Sequence, residues 1–192
     1  SFNLKNSCKK IEINIFKKTK IFLINENISM ADDNDFNIKD KFKNLREYND
    51  IIKIDNQNYK VTSNIDLLEN TIINKNENFI FEKESTINIM NGSTLFIEGQ
   101  VNFINNQDNL SEIKSEDASG SLIFINNDFN LSNLVFKKLS KPRLENYILY
   151  GGVNFINSKV NLNNIYIKDS NNEDGINIIN SKSTLTNIYF NN

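Results

Sequence analysis

Gly120-Ser-Leu-Ile-Phe-Ile-Asn-Asn-Asp-Phe-Asn-Leu-Ser-Asn-Leu-Val-Phe136, Gly151-Gly-Val-Asn-Phe-Ile-Asn-Ser-Lys-Val-Asn-Leu-Asn-Asn-Ile-Tyr-Ile167 and Asp174-Gly-Ile-Asn-Ile-Ile-Asn-Ser-Lys-Ser-Thr-Leu-Thr-Asn-Ile-Tyr-Phe190 are three copies of one pattern. They are offset by 31 and 23 residues. Leu122, Val153 and Ile176 share one column, Phe124, Phe155 and Ile178 a second, and Leu131, Leu162 and Leu185 a third. Asn126, Asn157 and Asn180 form a fourth column, and Asn133, Asn164 and Asn187 a fifth. A period in the twenties, built of short apolar-alternating runs with recurring Asn, is that of a β-solenoid, in which each unit buries its apolar side only by stacking on the next. In such a stack identical side chains lie about 4.8 Å apart, so amides can pass hydrogen bonds along a column. Asn also tolerates the left-handed backbone that a tight bend requires. Both Asn columns are therefore read as structural ladders.

The same alternation extends upstream. Ile51–Ile54, Tyr59–Thr62, Thr71–Ile73, Phe79–Phe81, Thr86–Ile89, Leu95–Ile97 and Val101–Ile104 read as short strands between polar or Gly-containing turns. With no helical periods between them, parallel coils are expected over residues 51–192, a β-sandwich being the alternative fold. Near the N-terminus, Ile11, Ile13 and Ile15 alternate with polar residues, the turn Lys17-Lys18-Thr19-Lys20 follows, and Ile21 to Ile24 resume a strand. Those lysines read as a solvated turn rather than an anion site. Ile38, Phe42 and Leu45 then recur at i, i+4 and i+7, the spacing of a short amphipathic helix. A solenoid needs its first coil covered, so residues 1–50 are expected to form a strand and helix cap, or to be the tail of an upstream domain. The predicted class is all-β, a right-handed parallel β-helix with an N-terminal cap.

Composition excludes several chemistries. The 192 residues carry 22 Lys and Arg against 24 Asp and Glu, which gives no reason to expect nucleic acid as partner. With no His, Ser-His-Asp and Cys-His nucleophiles and the usual zinc sites are out of reach. One cysteine, Cys8, rules out an internal disulfide. No apolar run is long enough to span a bilayer as a helix. No metal site is expected.

The unequal offsets locate the candidate site. The repeats are regular from each Gly onward, so the extra length falls before it, in Asn105–Ser119, Lys137–Tyr150 and Lys168–Glu173. These loops are expected side by side at one corner of consecutive coils, and one-sided insertions in a solenoid mark a binding face. On the adjoining strands Ile123, Asn154 and Asn177 alternate outward. The candidate ligand-binding residues are Asn154, Asn177, Tyr147, Tyr150, Arg143 and Asp174, with Lys141 and Asp169 near them. Tyrosine rings and amides at a polar groove suit a sugar chain.

Leu149-Tyr-Gly-Gly-Val-Asn-Phe-Ile-Asn-Ser-Lys-Val160 and Asn172-Glu-Asp-Gly-Ile-Asn-Ile-Ile-Asn-Ser181 carry a resemblance. The coils resemble the parallel β-helix proteins of the pectate-lyase-like superfamily. More narrowly, they are similar to the β-helix region that follows spore-coat-H-type kinase-like domains in bacterial surface proteins. That resemblance implies a secreted or cell-surface module that binds a polysaccharide or surface glycan, or serves as a rigid spacer or adhesin. It also implies further coils, or a protein partner, beyond the last coil; a structural subunit of a larger assembly is the third reading. Asn172-Glu-Asp-Gly175 is also similar to the Asn-Thr-Asp-Gly motif of polygalacturonases, which implies a hydrolase or lyase centred on Asp174, with Glu173, Lys168 and Arg143 as its further catalytic candidates. The chain departs from that family in lacking His and a second Asp-Asp motif in the coils, so the non-catalytic reading is preferred. No cofactor is expected; a lyase of this type would call for Ca²⁺, held by acids clustered over several coils.

Overall fold

The structure, a computed structural model, describes residues 10–15, 18–23, 42–143, 149–170, 172 and 174–191. The chain divides into two compact units, 1–37 and 38–192. In the first, β1 (Lys10–Ile15) and β2 (Lys18–Leu23) pair antiparallel, with Ile15 opposite Lys18. The two strands expected there are present, but Lys18 and Lys20 belong to β2 rather than to a turn.

The second unit winds through six coils. Coil one holds β3 (Lys43–Asn44), β4 (Ile51–Lys53), β5 (Asn58–Val61) and β6 (Ile65–Leu67). Coil two holds β7 (Thr71–Ile73), β8 (Asn78–Phe81) and β9 (Thr86–Ile89); coil three holds β10 (Thr94–Ile97), β11 (Gln100–Phe103) and β12 (Ser111–Lys114). In coils four to six two strands suffice: β13 (Ser121–Ile125) with β14 (Asp128–Lys137), β15 (Gly151–Ile156) with β16 (Lys159–Lys168), and β17 (Asp174–Ile179) with β18 (Lys182–Asn191). Corresponding strands stack into three sheets. The first runs β3-β7-β10-β13-β15-β17, the second β4-β5-β8-β11, and the third β6-β9-β12-β14-β16-β18. Among the described residues every strand pair in this unit is parallel except β4 with β5. This is the parallel β-helix expected from the repeats.

Stacking in register builds the core. Leu122 lies beside Val153 and Val153 beside Ile176, while Phe124 lies beside Phe155 and Phe155 beside Ile178. The Phe124 and Phe155 rings are 4.6 Å apart at 9°, and Phe129 meets Phe124 edge-on at 4.9 Å. Lower down, Tyr59 stacks on Phe79 and Phe81 on Phe103.

Both Asn columns sit at corners. Asn126, Asn157 and Asn180 turn from the first-sheet strands into the ten-residue strands β14, β16 and β18 at φ 56°, 50° and 45°. Asn133, Asn164 and Asn187 bend the ten-residue strands at φ 55°, 55° and 53°. Asn164 Nδ2 donates to Asn133 Oδ1 at 2.8 Å, and Asn180 Nδ2 to Asn157 Oδ1 at 2.7 Å. At the last coil the ladder steps sideways, Asn187 Nδ2 donating to Asn163 Oδ1 at 3.3 Å. The bend and the amide bond can be separated by mutation. Asn164→Gly keeps the left-handed bend and loses only a bond worth about 1 kcal/mol. Asn164→Val adds a β-branched side chain at positive φ and is expected to cost about 2 kcal/mol more. Thermal melts should rank wild type above Gly above Val; equal midpoints for the two variants would deny the bend its role.

Three local expectations are corrected. The helix spaced over 38–47 is replaced, over its described part, by β3 and a 3-10 turn at Leu45–Glu47; residues 38–41 lie outside the described residues. Asn44 is held in extended backbone because it pairs with Ile72 and its amide donates to both Glu77 oxygens, at 3.0 and 3.1 Å. The stretch Asn105–Ser119, expected as one loop, contains β12. Ile51–Lys53 does not begin a parallel coil but folds back on β5, since Asp55 Oδ1 accepts the Gln57 and Asn58 N–H groups, both at 2.9 Å, and closes a tight turn.

Candidate functional site

The corners leading from the third sheet back to the first carry the chain's insertions. Those of coils three, four and five are stitched together by the backbone: Ser115 N–H donates to Lys137 O at 3.0 Å, Ser140 N–H to Gly120 O at 2.8 Å, and Lys138 N–H to Lys168 O at 3.0 Å. Asn172 ties the longest of them to its neighbour, accepting from Lys141 N–H at 3.1 Å and donating to Leu139 O at 2.8 Å. The side-by-side arrangement expected from the offsets therefore holds, except that only 115–119 of the first stretch takes part; 104–110 lies at the preceding corner, on the far side of β12.

The coil-three corner is organised by Asp117. Its carboxylate accepts from Asn91 N–H at 2.8 Å, from the Ser115 hydroxyl at 2.9 Å and from the Ser119 hydroxyl at 2.7 Å. Burial pushes this carboxyl up, but the bonds from Ser119, Asn91 and Ser115 outweigh it and hold the group at about 2. An anion with its lone pairs so occupied serves the turn rather than catalysis.

The sequence-derived candidates separate on inspection of the surface. Asn154 is 0% exposed. Its amide donates to Gly151 O at 2.7 Å and receives Asn177 Nδ2 at 3.4 Å. Outward alternation was correct for this row, but the row is not wet: Ile72, Phe96 and Ile123 occupy the same position in the coils before it and are buried too, with the Phe42 ring 5.8 Å from Phe96. Asn154 is thus an internal bracing residue, and Asn177 is half-buried above it. Tyr150 is 52% exposed, and Arg143, Lys141 and Asp174 are exposed around the corner. Lys168 is half-buried with Nζ 5.7 Å from the Tyr166 ring centroid. Tyr147 and Glu173 lie outside the described residues. Glycoside hydrolysis calls for two carboxylates at a fixed separation, and Glu173, the partner expected for Asp174, is the one outside the described residues. Among the described residues no three His, Cys, Asp or Glu gather to hold a metal ion.

A further aromatic surface lies on the outer face of the third sheet in its last two coils; Val135, in the same column one coil earlier, is buried. Tyr166 and Tyr189 are register partners whose rings stack 4.7 Å apart at 15°, and Tyr189 is 46% exposed. Beside them Lys114, Lys137 and Lys168 form a second column, each the direct partner of the next. The signal was present in the repeats: Val135, Tyr166 and Tyr189 share a column flanked by inward Leu134 and Phe136 or their equivalents, so alternation already turns them outward. A separate polar cleft, lined by Arg46, Gln57, Asn74, Glu77 and Glu98, opens at the opposite end of the solenoid. Its Glu77 is committed to structure, accepting from Asn44 and from Asn74 N–H at 2.8 Å and pairing with Arg46 at 3.3 Å.

No protein-family model matches the sequence, and neither a curated protein nor a solved structure is detectably similar to it.

Proposed function

We propose that this chain is a non-catalytic β-helix module of the pectate-lyase-like kind, displayed outside the cell, that binds glycan along the third-sheet face and the corner beside it. The observation that carries this is the stacked Tyr166–Tyr189 pair on the outer face of the parallel third sheet, with Tyr150 exposed where the neighbouring corner enters β15. Tyrosines present an apolar ring and a polar hydroxyl together, the combination a pyranose requires, and they do so here on a rigid scaffold that loses little freedom on binding. The resemblance of residues 149–181 to surface-protein β-helices supports the same reading.

A glycan array probed with the 1–192 chain and with Tyr189→Ala, Tyr150→Ala and Asp174→Asn tests it. Removal of a tyrosine is expected to weaken retention about threefold to tenfold, in line with about 0.5–1.5 kcal/mol for an aromatic contact. Asp174→Asn should bind as wild type. Absence of any retained glycan sinks the reading, and release of cleaved sugar that stops with Asp174→Asn would make the protein an enzyme instead.

A further inference from the structure

The lysine column departs from ordinary sheet design. Like charges placed directly opposite one another on neighbouring strands repel and destabilise the pairing. Parallel stacking fixes Lys114, Lys137 and Lys168 one above another at about 4.8 Å per strand. Lys114 is neutralised by Glu116 at 2.8 Å. Lys137 and Lys168 are half-buried, and neither has a carboxylate partner among the described residues. Lys168 is braced over Tyr166, and the exposed Lys138 turns the corner next to Lys137. Asp169, the acid at the following corner, occupies the position stacked on Lys138 and not that of the column. On a chain of net charge −2, two adjacent ammonium groups with no carboxylate partner among the described residues, beside an aromatic pair, are a local cationic strip running along the solenoid axis.

We infer that the Lys137–Lys168 strip, with Tyr166 and Tyr189 alongside, binds a glycan bearing sulfate or phosphate esters, laid along the solenoid axis. This rests on the glycan-binding reading above and adds the chemistry of the ligand. Charge complementarity calls for an anion. The residue type selects among anions: planar carboxylates are best matched by the two-pronged guanidinium of Arg, whereas the ammonium of Lys acts as a point charge suited to a tetrahedral oxyanion with several acceptor oxygens. Two such point charges one strand apart can share one ester group or meet successive ones, while the tyrosine pair meets the sugar rings between.

The test compares binding of the 1–192 chain to dextran, dextran sulfate, a phosphorylated mannan, polygalacturonate and a single-stranded oligonucleotide, at low and high NaCl. An ester-bearing glycan should bind at least about tenfold more tightly than dextran and polygalacturonate, with affinity falling as salt rises because bound counterions are released. The sulfated and phosphorylated arms distinguish the two ester sources. Lys137→Gln with Lys168→Gln should lower ester-glycan affinity about tenfold and flatten its salt dependence, with Lys137→Gln alone used if the double variant loses its cooperative melt. The charge-matched control Lys53→Gln with Lys75→Gln should change neither. Equal affinity for dextran and dextran sulfate, preference for polygalacturonate, an unaffected lysine variant, or tighter binding of the oligonucleotide than of every glycan would each overturn the inference. If dextran still binds in a Tyr189-dependent way, the broader glycan reading survives that failure; if no glycan binds, both fall.

Discussion

Phe124→Ala should lower the stability of the solenoid by about 3–5 kcal/mol, the range for truncating a fully buried phenylalanine. Phe124 is completely buried and is touched on two sides, face to face by Phe155 at 4.6 Å and edge-on by Phe129 at 4.9 Å. Its neighbours cannot collapse into the space, because each is pinned by its own register pairing, Phe155 to Ile178 and Phe129 to Val160. For a chain of this length that loss corresponds to a melting temperature lower by about 6–20 °C. Phe155→Ala should behave alike. The double variant should cost less than the two single costs together, since the rings touch and one cavity serves both. Strictly additive losses, or a drop of less than about 1 kcal/mol, would show that the coil interior is loosely packed at this level.

Gly120→Ala is expected to cost about 3 kcal/mol or more, although it adds a single methyl group. A Cβ there would lie 2.7 Å from both the carbonyl carbon and the Cβ of Ile89, with the Ile89 carbonyl oxygen nearer still. These are two backbone atoms of β9 and the Cβ bonded directly to that backbone, all held in the third sheet, so no side-chain rotation relieves the overlap. Gly120 itself cannot retreat, because its N–H donates to Ser115 Oγ and its carbonyl accepts from Ser140 N–H, both at 2.8 Å. Overpacking of this kind lies at or above the upper end of the usual 1–3 kcal/mol. Gly92→Ala is the informative contrast. Gly92 has φ +69° but nothing within 4 Å of an added Cβ, so it should lose only about 1 kcal/mol, the cost of a left-handed alanine. Melts in which the two variants coincide would mean that close approach at the coil corner is not what requires glycine at 120.

The parts of the fold legible from the sequence are those where one coil repeats another. Leu122, Val153 and Ile176 announce their register because the same residue classes recur around them, and the corner asparagines announce left-handed bends because few other residues adopt them. Strands too short to show a period were hidden. Ile65-Asp-Leu67 offers two apolar positions, and Ser111-Glu-Ile-Lys114 only Ile113 as a large one, so β12 passed for loop. The spacing of Phe42 and Leu45 fitted a helix, but pairing with β7 and the Glu77 carboxylate overrode local preference at Asn44. At the site, alternation fixes which way Asn154 points and is silent on whether that side is wet. The repeats already align Tyr166 with Tyr189 and Lys137 with Lys168, but alternation is equally silent on the exposure of that row. Lys114 joins the column only once the residues of the coil-three corner are placed.

The pairing of each coil with its immediate neighbour also sets how the chain reaches this structure. Within the second unit, and outside its β4–β5 hairpin, described strand partners are 20 residues apart at the closest, as for Asn58 and Asn78, and 31 at the widest, as for Leu122 and Val153. In a 192-residue chain these separations are about 0.10–0.16 of its length, the range of helical and mixed domains rather than of sandwiches. No strand has to wait for a partner from the far end of the polypeptide. The local hairpin can close first, and each later coil then finds its template already in place. Assembly can therefore keep pace with a chain emerging from one end, and the longest single search is the closure of one 31-residue loop.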